Sequence, residues 1–187
     1  MEYGGPILIT LGLLLFRKQI YGASVTPLTF RQKIGVGMAL FHYIKRELET
    51  IFVHRFSNDT MPFMNIFKNS AHYWILFGIC SMLFFLKPSV DDSSRFKEIV
   101  LAGLFLLFEL LNFSCHIILK NLRKEGSTER GIPMGCGFGQ VSCANYLWEA
   151  CAWTTFALVT KVWGSWLFVG VSTVQMTLWA LKKHKRY

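Results

Sequence analysis

An all-α, polytopic membrane bundle of about six transmembrane helices is the fold class this sequence predicts, and three observations carry it. The 187 residues are 52% hydrophobic and 16% aromatic but only 17% charged, against about 25% charged in an average soluble domain. Apolar runs of near-spanning length recur along the whole chain. One of them, Ile99 to Leu119 (IVLAGLFLLFELLNFSCHIIL), also carries Glu109, Asn112 and His116. Ionisable groups inside hydrocarbon are costly, so they should face a polar cavity between helices.

The runs place spans at about 4–16, 28–44, 71–87, 99–119, 138–160 and 163–181. The first is short and follows Met-Glu rather than a basic segment. No small-x-small cleavage site follows it, so no cleaved signal peptide is expected. The second is the weakest, with eleven uncharged residues between Lys33 and Lys45. The third is short, and short spans tilt or thin the bilayer. The last three meet the requirement of about 20 apolar residues. Ahead of the fifth, GCGFG (135–139) lacks the preceding strand and the G-x-G-x-x-G spacing of a dinucleotide loop. Its glycines instead permit a tight re-entry into the span. No Gly/Ser-rich linker or repeat interrupts the chain, so residues 1–187 read as one membrane-embedded domain.

The net charge of +9 comes from clusters between the runs, such as RQK (31–33), RKEGSTER (123–130) and KKHKR (182–186). Clusters so placed flank membrane helices and meet anionic headgroups, which excludes a nucleic-acid partner and makes the lipid bilayer the expected one. With both termini cytosolic, twelve of the 20 Lys and Arg fall on the cytosolic side and eight on the other. Arg17 to Lys33 is the discordant loop. The five cysteines are odd in number and form no C-x-x-C, so they read as reduced, apolar fillers. The histidines are scattered, and no metal is expected.

Three polar constellations stand out. At about 100° per residue, Glu109, Asn112, His116, Lys120 and Arg123 fall within an arc of roughly 80°. Interhelical hydrogen bonding explains one such residue. A stripe of five suits a long anionic ligand running from a pocket to the surface. In VSCANYLWEA, Ser142, Asn145 and Glu149 stand at i, i+3 and i+7 with Tyr146 beside them. Tyr146 reads equally as an interfacial aromatic or as a general acid that protonates an enolate. In FHYIKRELETIFVHRF, His42, Lys45, Arg46 and Glu49 share one face, with Tyr43 and Glu47 on the next. Such spacing also suits exposed ion pairs along a helix. Tyr43 is singled out because it lies at the apolar end.

Four stretches, FHYIKRELETIFVHRFSNDTMPFMNIFKN (41–69), FELLNFSCHIILKNLR (108–123), GIPMGCGFGQVSCANYLWEACAW (131–153) and QMTLWALKKHKRY (175–187), together resemble the steroid 5α-reductase superfamily. The match is nearest to its very-long-chain trans-2-enoyl-CoA reductases. The resemblance implies an endoplasmic-reticulum membrane enzyme that uses NADPH to saturate a long-chain enoyl-CoA in the last step of fatty-acid elongation, beside the other elongation enzymes. It implies Tyr146 as proton donor, Lys45 as an essential lysine and Tyr43 as a donor to the substrate carbonyl. Asn112, Arg123, Asn145 and Glu149 match cofactor positions, His184 and Tyr187 match a last-helix H-x-x-Y pair, and His116, also assigned to the cofactor, falls where the steroid reductases have an acidic residue. Lys120, Arg123 and Arg130 suit the cofactor's phosphates, and Glu109, the first member of the stripe, is expected at the substrate pocket. Ala144 replaces the usual proline of V-S-C-P-N-Y, which brings the motif nearer to the steroid reductases. The family's ubiquitin-like N-terminal domain and basic C-terminal tail have no counterpart in these residues. A steroid or polyprenol enone reductase on the same scaffold, and an inactive scaffold of the elongation complex, are the alternatives.

Overall fold

The computed structural model describes residues 2–54, 63–90, 94–122 and 131–185. It is all helical, with no strand among the described residues. The elements are α1 (Gly4–Leu15), α2 (Arg17–Tyr21), α3 (Phe30–Phe52), α4 (Phe63–Ser70), which runs on into a π-helical segment (Ala71–Leu83), α5 (Arg95–Asn121), α6 (Ala144–Thr160) and α7 (Trp163–His184). All six expected spans contain a helix. The short helices α2 and α4 were not expected, and α3 continues eight residues past the expected end at 44. The fifth span starts at Ala144 rather than 138, because Gly135, Cys136 and Gly137 all have positive φ and turn the chain.

The helices close into a ring. α1 packs on α3, α3 on α5 and α6, α5 on α6, α6 on α7, and α7 on the π-helical segment, which returns to α1. The centre is aromatic: Tyr43, Phe77, Trp153, Phe156 and Phe168 are fully buried, with ring centroids 4.8 Å apart for Tyr43–Phe77 and 4.9 Å for Trp153–Phe168.

The end of the π-helical segment leaves carbonyls that need partners. Arg17 Nε donates to Leu86 O at 3.1 Å, Tyr21 Oη donates to Leu83 O, and Gln32 Nε2 reaches Phe85 O and Lys87 O, both at 2.8 Å. Gln32 is itself fixed by a capping box with Thr29 at the start of α3. Arg17, part of the discordant loop, is therefore a buried cap rather than a solvent-facing charge.

Beside this aromatic centre, α3 and α5 turn polar faces inward and apolar faces outward. On α3, His42, Arg46 and Glu49 are buried while Phe41, Ile44, Leu48 and Ile51 are exposed. On α5, Glu109, Asn112 and His116 are buried while Leu106, Leu107 and Leu110 are exposed. A water-soluble bundle has the opposite arrangement. By length and mean hydropathy alone, among the described residues, only α5 (Arg95–Asn121, 1.8) qualifies as a membrane-crossing helix. The inward charges of α3 lower its average, although its outer face is apolar.

α7 approaches the π-helical segment through Gly164, where a Cβ would lie 1.6 Å from Cys80 O. Ser81 and Ser165 hydroxyls meet at 2.6 Å beside it, and Thr160 donates to Ser165 at 2.8 Å. Gly164→Ala should therefore force the two helices apart and lower the thermal midpoint in detergent by several degrees, an overpacking cost of about 1–3 kcal/mol. Gly170→Ala, where nothing lies within 4 Å, should leave the midpoint unchanged. Equal midpoints for both variants would contradict the close crossing.

Candidate active site

The inward face of α3 meets the inward face of α5 in a seam of ionised groups. His42 Nδ1 donates to Glu109 Oε1 at 2.7 Å. Lys45 Nζ lies 2.9 Å from Glu109 Oε2 and 3.3 Å from Glu49 Oε1, and donates to Asn112 Oδ1 at 2.6 Å. Arg46 donates from one nitrogen to Glu49 Oε2 at 2.8 Å and from another to Tyr3 Oη at 2.9 Å. His116 Nδ1 lies 3.0 Å from the same Glu49 oxygen. Two carboxylates thus face two cations, and with neutral imidazoles the formal charges cancel. Ordinary surface pairing, one reading of the α3 pattern, is overturned: Glu49 and Glu109 are each 1% exposed.

The seam continues onto α6. Asn112 Nδ2 donates to Asn145 O at 2.8 Å, so this amide ties Lys45 to the start of α6 and keeps one N–H free of this pair. Asn145 Oδ1 is buried without a partner, as are His42 Nε2 and the Tyr43 hydroxyl. Buried polar atoms left open in this way point to a ligand that completes them. Tyr43 lies between the rings of Tyr3, Tyr73, Phe77 and Trp153. Glu149, one turn along α6, is near enough to interact electrostatically with Tyr43, Arg46, Tyr73 and His116.

Of the expected site residues, Tyr43, Lys45, Glu109, Asn112, His116, Asn145 and Glu149 therefore converge on one interhelical region. Lys120 lies at its edge and donates to Phe52 O at 3.1 Å, closing the end of α3. Tyr146 and His184 meet instead where α6 and α7 come together: Lys183 Nζ of α7 donates to Tyr146 Oη at 3.2 Å, and His184 Nδ1 of α7 lies 2.6 Å from Ser142 Oγ, just ahead of α6. Arg123, Arg130 and Tyr187 lie outside the described residues. Sequence reasoning put His42, Arg46 and Glu49 on one face with Lys45 but did not name them as site residues. Tyr3 and Tyr73 were missed altogether, since nothing local marks their contacts with α3.

Glu49, His54 and His116 also bring three metal-ligating atoms within 4.8 Å of one another, a convergence that the scattered spacing of the histidines did not reveal. The Arg46 guanidinium stands 2.8 Å from the Glu49 oxygen and 3.3 Å from the His116 ring nitrogen. It supplies there the positive charge that a cation would bring. Burial, with Arg46 and His116 adding to it, pushes the His54 imidazole down to about 4.

Two outcomes follow from this geometry. Lys45→Met leaves Glu109 and Glu49 buried with one cation fewer, and should destabilise the protein by about 3–5 kcal/mol. Adding Glu109→Gln should recover part of that loss in a double-mutant cycle of unfolding midpoints; strict additivity would contradict the pairing. For His54, the unfolded chain takes up a proton below about pH 6.5 that the folded site refuses until about pH 4. Acidification through that window should cost stability, and His54→Gln should flatten the dependence. An unchanged pH profile in the variant would contradict it.

Comparison with known proteins now bears on this geometry. Residues 59–187 match the family model described as 3-oxo-5-alpha-steroid 4-dehydrogenase. The whole chain aligns with a Schizosaccharomyces pombe protein named as a candidate enoyl reductase, 45% identical over 189 residues and 64% of that protein's length. It aligns equally completely with the very-long-chain enoyl-CoA reductase of Dictyostelium discoideum, 42% identical over 188 residues and 61% of its length. A candidate enoyl-CoA reductase of Trypanosoma brucei brucei is 40% identical over 194 residues and 63% of its length. The chain spans less than two thirds of the length of these curated relatives.

Proposed function

This chain belongs to the 3-oxo-5-alpha-steroid 4-dehydrogenase family, the steroid 5α-reductases, and we propose that it reduces very-long-chain trans-2-enoyl-CoA to the saturated acyl-CoA at the expense of NADPH. The observation that carries this reading is the buried polar seam between α3, α5 and α6, bordered by a Tyr43 hydroxyl without a partner. Ionised groups at this depth are too costly to serve packing alone. The relatives' names support the substrate class.

NADPH, when bound, supplies the hydride that enters at the β-carbon. The Tyr43 hydroxyl donates to the thioester oxygen and so stabilises the enolate that forms. Tyr146 delivers its proton to the α-carbon. Glu109 is assigned to the substrate pocket, and Lys45, paired with it, holds Asn112 in place through its amide oxygen. Asn145 Oδ1, a buried acceptor with no partner, fits the N–H donors of a carboxamide. Asn112, His116 and Glu149, on the same inward faces of α5 and α6, join Asn145 in the cofactor site, with His184 at the end of α7; the family pattern adds Tyr187, and Lys120, Arg123 and Arg130 supply the positive charge that phosphates need.

The enzyme works in the endoplasmic-reticulum membrane with six spans and both termini cytosolic, among the other enzymes of fatty-acid elongation. The outward apolar faces of α3 and α5 support the spans. The buried cap made by Arg17 removes one charge from the loop that conflicts with this orientation.

NADPH oxidation by the purified chain in lipid should depend on an added long trans-2-enoyl-CoA. Tyr146→Phe should lower kcat by about 10²–10³-fold with little change in KM for NADPH, the loss expected for a general acid. Oxidation that depends only on a steroid or polyprenol enone would keep the scaffold and overturn the substrate. NADPH binding without turnover of any of these would overturn the reductase reading.

A further inference from the structure

The basic run KKHKR at the end of α7 reads in sequence as a headgroup-facing cluster, yet its members diverge in the structure. Lys182 and Lys185 are exposed, whereas Lys183 is partly buried. Its Nζ donates to Tyr146 Oη at 3.2 Å and sits 4.8 Å from the centroid of the same ring. One ammonium thus engages both the oxygen and the π-face of a single tyrosine. Trp179, one turn back on α7, lies 6.2 Å from that ring, centroid to centroid, and the Ser142–His184 contact at 2.6 Å fixes the next residue of α7 against the start of α6. The pair is held from both sides.

We propose that Lys183 is a positioning residue for proton delivery by Tyr146, an inference that rests on the reductase reading above. Tyr146 and Glu149 are about 60° apart around α6, which puts the phenol on the border of the face turned toward the buried seam. In the step itself the Tyr146 O–H bond breaks and the proton forms a new C–H bond at the α-carbon of the enolate. The electron pair stays on oxygen as phenolate, and a proton from water later restores the phenol. An ammonium beside the oxygen stabilises that phenolate, and with it the transition state leading to it, more than it stabilises the neutral phenol. A lysine that only met lipid headgroups would do this no better than its neighbour Lys182.

The test uses the full chain in lipid, with a long trans-2-enoyl-CoA and NADPH. Lys183→Met should lower kcat by about 10–100-fold, leave KM for both substrates within about twofold, and enlarge the solvent deuterium isotope effect on kcat because proton transfer becomes slower. Lys183→Arg should recover most of the rate by restoring the charge. Lys182→Met should match the parent. The proposal is overturned if Lys183→Met turns over like the parent, or if it loses rate with an unchanged isotope effect and no rescue by arginine, as a packing defect would. Full activity in Tyr146→Phe would remove the proton-donor role of Tyr146 and this proposal with it, whereas a parent chain that consumes no enoyl-CoA would remove the underlying reductase reading instead.

Discussion

Glu49 and Glu109 are buried between α3 and α5, and the rest of the structure is arranged so that neither carboxylate is left unneutralised. Lys45 bridges both, Arg46 and His116 share one, and His42 completes the other. Removing two charges from water costs several kcal/mol each, which only good geometry and further hydrogen bonds return. Those further bonds reach out to the other helices: Arg46 to Tyr3 beside α1, and Asn112 to the backbone of α6. Four helices, α1, α3, α5 and α6, are thereby tied together by one electrostatic requirement. The aromatic core on Trp153 and Phe77 fills the space that this arrangement leaves.

The same requirement turns the polar faces of α3 and α5 inward and their apolar faces outward. In the proposed mechanism, two tyrosines in different surroundings divide the labour. Tyr43 is enclosed by aromatic rings with its buried hydroxyl left without a partner, which suits a fixed donor to a developing oxyanion. Tyr146 is partly exposed and paired with an ammonium, which suits a group that must lose a proton and regain it from water.

Much of this was legible in the chain, for identifiable reasons. The stripe from Glu109 to Lys120 follows from helical period alone, and its buried members are where the period put them. The GCGFG turn was legible because glycine spacing is a local backbone signal. The second span was obscured because averaged hydropathy does not distinguish a charge that faces the bundle interior from one that faces lipid; α3 carries its charges inward. Other features rest on contacts between residues far apart in sequence. Tyr3 meets Arg46 across 43 positions, and Lys183 meets Tyr146 across 37. Charge clusters such as KKHKR record where helices end, but not which member turns back onto a neighbour.

The most direct test of the account follows the two hydrogens added to the substrate. Turnover of a long trans-2-enoyl-CoA with NADPH deuterated at the transferred position should place one deuterium at the β-carbon of the product, located by mass spectrometry. Turnover of unlabelled NADPH in heavy water should place one at the α-carbon. That pattern is what hydride addition followed by protonation from an exchangeable tyrosine requires. Nicotinamide-derived deuterium at the α-carbon, or no solvent deuterium in the product, would contradict the mechanism assigned to this site.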